Sequence, residues 1–308
     1  MSSVRRRVIP NNPLKQAWSR SQRQLPVVLL LAPATLIFLA IVLYPLLYGL
    51  YLSLTDTDPT TLQSRFVGLD NFAKMLRDQV FWISLRQTFT YATVTLLIEM
   101  PLALAIALLL NENSRGRWLY RGLLMLPWVM PSIAASVVWG WLLSADYGLL
   151  NYILTRVGLI HTYVAWLSRA DLALPSVIAV GIWKGLPFTS VVLLAGLQTI
   201  PGELREAAEV DGANALQRLW HIILQHLRPV LVITLVLRFA WAFNTFDLAY
   251  VLTNGGPGYS TYLLSIYMYL TAFSFRELGY GSALAAVMLL ILVVLAVVFI
   301  RTVSRKDD

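Results

Sequence analysis

Residues Ile200–Pro229 read IPGELREAAEVDGANALQRLWHIILQHLRP, a polar and then amphipathic stretch set between two long apolar runs. It is too long for a turn and is rich in helix formers. Pro201 suits the first turn of a helix, where its missing N–H costs nothing. Glu203 and Glu206 fall in the early turns, where the helix dipole favours anions. Asp211-Gly212 then ends that helix, because Gly212 is free to take positive φ. Leu216, Leu219, Trp220, Ile223 and Leu227 follow at i, i+3, i+4, i+7 and i+11, one apolar face of a second helix. Pro229 is expected to begin the next apolar run, and Ala207, Ala208 and Ala213 keep the bend thin. Such a pair can insert into a groove on another protein or rest on lipid headgroups.

Outward from this loop the chain is apolar in both directions. A membrane-spanning helix needs about 20 largely apolar residues. The runs Leu25–Leu54, Ser84–Leu110, Tyr120–Ser144, Leu172–Thr199, Pro229–Thr253 and Ser282–Ile300 meet that need. Lipid offers no hydrogen bonds to the backbone, so the runs are expected to be helices; they are too long and too evenly apolar for barrel strands. The expected class is an all-α membrane protein with six transmembrane helices. Composition agrees: of 308 residues 58% are hydrophobic and 13% charged, about half the roughly 25% charge of a soluble domain. The first run exceeds a signal-peptide core of about 7–15 residues and reads as a retained signal anchor.

Charge sets the expected direction. Arg5, Arg6, Arg7, Lys15, Arg20 and Arg23 precede the first run; Arg115, Arg117, Arg121, Arg205, Arg218, Arg228, Arg301, Arg305 and Lys306 lie on the same side of the spans. Arg65, Lys74, Arg77, Arg156, Arg169 and Arg276 lie on the other. The richer side is expected to be cytoplasmic, with both termini inside. The net charge of +8 is thus a topology signal, and no nucleic-acid partner is expected. With no cysteine and three scattered histidines, neither a thiolate site nor a metal centre is expected. His221 and His226 read as packing or headgroup contacts. On the outer side, Leu69, Phe72 and Leu76 form one face of a short interfacial helix that Asp70 is placed to cap. Asp56-Thr57-Asp58 reads as a capping and turn element before Pro59.

Glu206-Ala207-Ala208, Asp211-Gly212-Ala213, Ile222, Leu224 and Pro229 resemble the EAA loop of the permeases of binding-protein-dependent ABC importers. That family usually has proline after the Ile-x-Leu element; here Gln225 stands there, so the second coupling helix is expected to continue further toward the membrane. FVGLDNFAKML (residues 66–76), LTNGGPGYST (Leu252–Thr261) and FRELGYGSALA (residues 275–285) look like outer segments of the carbohydrate-uptake branch. The chain looks most like the first permease of the maltose and glycerol-phosphate type, without the large extra outer domain of the maltose permease.

The resemblance implies a type I ABC importer permease fold in a bacterial cytoplasmic (inner) membrane. It divides the chain into a basic segment 1–24, a permease domain 25–302 with its coupling loop at 201–229, and a tail 303–308. It implies a second permease subunit, a dimer of ATP-binding subunits and an extracytoplasmic solute-binding protein. No cofactor is expected on this chain, ATP and Mg being bound by the partner ATPase; the absence of a GxxxxGK[ST] loop independently requires an ATP-hydrolysing partner. The coupling residues implied are Glu206, Ala207, Ala208, Asp211, Gly212, Ala213, Ile222 and Leu224.

The family places the sugar near the membrane midplane, largely on the fourth and fifth spans. There Trp183, Lys184 and Phe188 flank Pro187, an expected kink, and Arg238, Trp241 and Thr245 share a helical face, with Asn244 and Asp247 nearby. Aromatic faces stack on sugar C–H surfaces and polar groups bind hydroxyls. Structural roles remain open: Phe188 and Trp241 as packing, Arg238 neutralising Asp247, Glu99 pairing with Lys184 or Arg86, and Trp128, Trp139 and Trp141 as interface anchors. Two intramembrane cations, Lys184 and Arg238, raise the expectation of an anionic sugar or sugar phosphate. Two rival classes are a self-contained secondary transporter, with Glu99 and Asp247 as its ion-coupling carboxylates, and a membrane-bound transferase using Asp56 and Asp58.

Overall fold

Apolar length alone builds most of the molecule. A computed structural model describes residues 30–58, 61, 63–112 and 116–304; the basic segment 1–24 and residues 305–308 lie outside them. Among the described residues five helices are long and apolar enough to cross a membrane, six if a sharply bent pair counts as one span.

The chain runs α1 (Leu30–Leu52, with a π-helical stretch Leu39–Leu43), β1 (Thr55–Thr57), β2 (Ser64–Phe66), α2 (Asp70–Arg77) and α3 (Gln79–Asn111). Then come α4 (Arg117–Val129), α5 (Ser132–Leu142), α6 (Leu149–Arg156), α7 (Ala170–Leu197) and α8 (Gly202–Val210). The helix α9 covers residues 215–243: Ala215–Arg218, a π-helical turn Leu219–Ile223, and Leu224–Phe243. The chain closes with α10 (Asp247–Thr253), α11 (Leu264–Ser274) and α12 (Leu278–Ser304).

The expected third span is not one helix. Its halves α4 and α5 meet at 94°. The cause is local: Pro131 lacks an N–H and crowds its predecessor out of the helical region, so Met130 is extended at φ −62°, ψ 131°. Pro101, Pro175, Pro187 and Pro229 instead lie inside helices, so neither the kink expected at Pro187 nor the start expected at Pro229 divides its helix. The candidate fifth span runs Ala215–Thr253, beginning before Pro229 and interrupted at residues 244–246, which are non-helical, before α10.

Asp56 lies on a two-stranded antiparallel hairpin opposite Arg65, so of the turn expected at Asp56-Thr57-Asp58 the first two residues are strand and Asp58 follows it. Asp70 is the first residue of α2 and makes no side-chain cap; Met75 is the residue of α2 that the core buries, and Leu69 and Leu76 are exposed. The carboxylate nearby that does cap is Asp78, which accepts the Val80 N–H at 2.8 Å at the start of α3. It also accepts hydroxyls from Tyr267 and, at 2.6 Å, Tyr280. Burial alone would raise the Asp78 carboxyl, but these hydrogen bonds outweigh it and hold the group below its usual range.

The buried core joins α3, α7, α10, α11 and α12, and a second cluster, Ala103, Ala107, Leu193, Leu194, Leu197 and Leu227, continues it toward the 200–215 end. Lipid is as apolar as leucine, so close packing rather than water exclusion holds such helices together. Small residues at the contacts, Ala92 and Ala103 on α3 and Gly181 and Gly185 on α7, are buried accordingly. The broad exposed apolar surface of α1, from Leu30 to Tyr51, is what a helix facing acyl chains presents.

Candidate functional site

At one end of the bundle the 200–229 stretch forms the expected bent helix pair. Helix α8 ends in a Schellman motif: Ala213 N–H donates to the Ala208 carbonyl (2.9 Å) and Gly212 N–H to that of Glu209 (3.1 Å), with Gly212 at φ +75°. Asn214 then caps α9 in a reciprocal capping box with Gln217, at 2.9 and 2.8 Å. A salt bridge of 2.6 Å from Arg218 to Glu209 fastens the two helices. The cap was not read from sequence, although Asn followed three residues later by Gln carries its signature. Asn214→Ala is expected to cost about 1 kcal/mol locally, seen as roughly fivefold faster hydrogen exchange at the Gln217 amide.

The pair overhangs a groove of about 730 Å³ whose walls include Leu108 and Glu112 from the end of α3, Leu197 from α7, and Glu206, Glu209 and Ile222. Glu206 and Ile222 therefore share one concavity. Ala207, Asp211 and Gly212 are exposed, Ala208 is buried, and Ala213 and Leu224 are half-buried. The apolar face expected on the second helix is divided: Leu227 is buried, whereas Leu216 and Trp220 are 63% and 61% exposed, beside Val210 at 89%. Among the described residues nothing covers that patch. His221 and His226 are exposed and bond carbonyls of their own helix, Gln217 and Ile222. Gln225 lies inside helix that runs unbroken to Phe243, so the second helix of the pair continues into the span, as its replacement of proline led one to expect.

Halfway along the bundle, α3, α7 and α9 meet at a buried ion pair. The guanidinium of Arg238 donates through Nε to Glu99 Oε1 (2.8 Å) and through Nη2 to Glu99 Oε2 (2.7 Å). Thr189 donates to Oε1 at 2.5 Å, and Glu99 is fully buried. Gly185 makes room: a Cβ there would stand 1.8 Å from Arg238 Nη2 and 2.8 Å from Glu99 Oε2. The alternatives open in the sequence thus resolve against Arg238–Asp247, Glu99–Lys184 and Glu99–Arg86. Thr189 and Gly185 carried no signal that sequence reasoning used.

Beside the pair lies a cavity of about 490 Å³. Its walls are Tyr91 and Thr95 of α3, Lys184 of α7, the Met130–Ser132 break, and Arg238, Trp241, Asn244, Thr245 and Asp247 at the end of α9 and the start of α10. Trp128 lines it too, so it is a wall residue rather than only an interface anchor. Trp183 and Phe188 do not line it. Trp183 packs edge-on against Trp139 (5.3 Å between ring centres), and Phe188 lies behind the wall between Trp128 (5.6 Å) and Trp241 (5.0 Å). Trp141 is exposed, as an anchor would be. The Arg238 guanidinium lies 5.8 Å from the Trp241 ring centre. Ser265 of α11 donates to the Thr245 carbonyl at 2.5 Å, bracing the break that follows α9. Trp241, 46% exposed, and exposed Asn244 and Asp247 form the wall turned away from the chain's core.

Comparison with known proteins follows the same outline. Residues 99–306 match the family described as binding-protein-dependent transport system inner membrane component. The sulfoquinovosyl glycerol transport system permease protein SmoG of Agrobacterium fabrum is 36% identical over 94% of both chains. The trehalose/maltose transport system permease protein MalF of Thermococcus litoralis is 33% identical over 91% of this chain and 94% of its own. Among solved structures, a chain of a bacterial ABC transporter involved in the import of the acidic polysaccharide alginate superposes with a TM-score of 0.83, 24% identity, and coverage of 95% of this chain and all of the other. The last likeness is one of fold.

Proposed function

The chain belongs to the family of binding-protein-dependent transport system inner membrane components, and from that premise we propose that it lines half of the translocation pathway of an ATP-driven sugar importer. It is a multi-pass permease subunit rather than an enzyme, like the relatives it matches. The named cargoes of those relatives, sulfoquinovosyl glycerol and trehalose/maltose, are carbohydrates, which supports a sugar, oligosaccharide or sugar derivative here. The observation that carries the reading is a single helix, residues 215–243, with an uncovered apolar patch at one end and Arg238 and Trp241 in the cavity wall at the other.

In this reading Val210, Leu216 and Trp220 seat the α8–α9 pair against an ATP-binding subunit, with Glu206 meeting a basic group there. Closure of the ATPase dimer then displaces α9, and with it one wall of the cavity. A second permease supplies the facing wall beyond Trp241, Asn244 and Asp247, and a solute-binding protein delivers cargo at the end bearing the β1–β2 hairpin. The pair faces the cytoplasm together with both termini, as the basic bias of the loops requires. Of the two carboxylates that a secondary transporter would use, Glu99 is held by Arg238 and Thr189, which counts against that class.

The test is uptake of labelled mono- and oligosaccharides into proteoliposomes holding this chain, its second permease and the ATPase. Accumulation is expected only with ATP and the binding protein together. Uptake by the chain alone, driven by an ion gradient, would overturn the assignment.

A further inference from the structure

The cavity holds three groups of opposite charge whose balance is uneven. Arg238 and Glu99 offset each other's charge in a two-point contact, so the guanidinium is already paired with a carboxylate. Lys184 differs. It reaches the cavity from mid-length of α7, and its nitrogen donates to the Met130 carbonyl at 2.6 Å. That carbonyl ends α4, and the helix dipole offsets part of the ammonium charge. An ammonium has three donors, and no carboxylate lies within salt-bridge distance of this one among the described residues. The remaining wall charge, Asp247, is exposed in the first turn of α10 and makes no ion pair with Lys184.

A half-buried ammonium at mid-bilayer is costly without an anion, and the attraction it exerts is strong because little water screens it. We propose that the cargo is a carbohydrate bearing an acidic group, a carboxylate, sulfonate or phosphate, and that this group docks on Lys184 while the sugar rings lie against Trp128 and Trp241. The proposal rests on the sugar-importer reading and narrows it. Lys184 is then the specificity-determining residue, and Arg238 supports the wall without recognising the charge.

The test compares acidic sugars with their neutral parents: uronic acids, sulfonated sugars and sugar phosphates against the corresponding unmodified mono- and disaccharides. The full assembly in proteoliposomes, with its binding protein, is assayed as wild type, Lys184→Met and Lys184→Arg. Acidic sugars are expected to be the transported set. Lys184→Met is expected to slow their uptake roughly 10- to 100-fold, the range for losing a hydrogen-bonded charge partner, and Lys184→Arg to restore most of it. A purely structural role at the Met130 break predicts instead that Lys184→Met lowers uptake and basal ATP hydrolysis together, while detergent-solubilised assembly yield falls. If only neutral sugars enter, or if Lys184→Met transports acidic sugars at the wild-type rate or fails in that structural manner, the proposal is overturned and the importer reading stands. If no carbohydrate of either kind enters, the importer reading itself fails.

Discussion

Gly212→Asp is expected to abolish ATP-driven uptake while leaving membrane insertion and pairing with the second permease intact. The chain itself tolerates the change. A Cβ at Gly212 meets nothing within 4 Å, so no internal clash follows. The only intrinsic cost is the left-handed backbone at φ +75°, about 1–2 kcal/mol for an ordinary residue and less for aspartate, which visits that region more readily. A loss of transport of tenfold or more therefore reports something outside the chain that fills the open space at the bend. Gly212→Ala, carrying the backbone penalty without the charge, is expected to retain substantial uptake. ATP-coupled uptake in vesicles, with assembly checked by co-purification of the ATPase, measures both. Full coupled uptake by the aspartate variant would remove the α8–α9 pair from the coupling path.

Glu99→Gln should destabilise the fold by roughly 3–5 kcal/mol, the usual cost of leaving one partner of a buried ion pair behind. Arg238 would remain a cation walled in by Gly185, Thr189 and the cavity, with a neutral amide in place of the carboxylate it now grips at two points. Arg238→Met should cost a similar amount by stranding Glu99, which has no exposure to recover. The double variant, neutral on both sides, is expected to regain much of the loss, since a removed pair leaves no uncompensated charge. Thermal unfolding midpoints of the detergent-purified single and double variants make the cycle. Simple addition of the two losses would mean that the pair contributes nothing as a pair.

These two sites differ in how far the residues alone announced them. The 200–229 helix pair was legible because its signals are local: a proline at the start, a glycine at the stop, apolar residues at helical spacing, and Gln225 where a break would otherwise fall. Each acts within a few residues of itself, and each appears in the structure close to where it was read, α8 at Gly202–Val210 and the bend at Gly212. The spans were legible for the same reason, because apolar length is a property of a segment and needs no partner. Where a span is bent, at Met130-Pro131, the signal was present, but the apolar run outweighed the single proline that breaks its helix.

Membrane residence, helical class and the place of the bent loop thus came from sequence alone. The partner of Glu99 did not. Three cations, Arg86, Lys184 and Arg238, stood in or at the edge of spans, and composition ranks none above the others. Only the packing of α3 against α7 and α9, made close by Gly185, brings Arg238 and not Lys184 to Glu99. The same packing sends Trp183 and Phe188 behind the cavity wall and brings Trp128 into it. Helix periodicity tells which residues share a face, but which face meets which neighbour depends on contacts such as that of Glu99 with Arg238, 139 positions apart, and these exist only once the helices have packed.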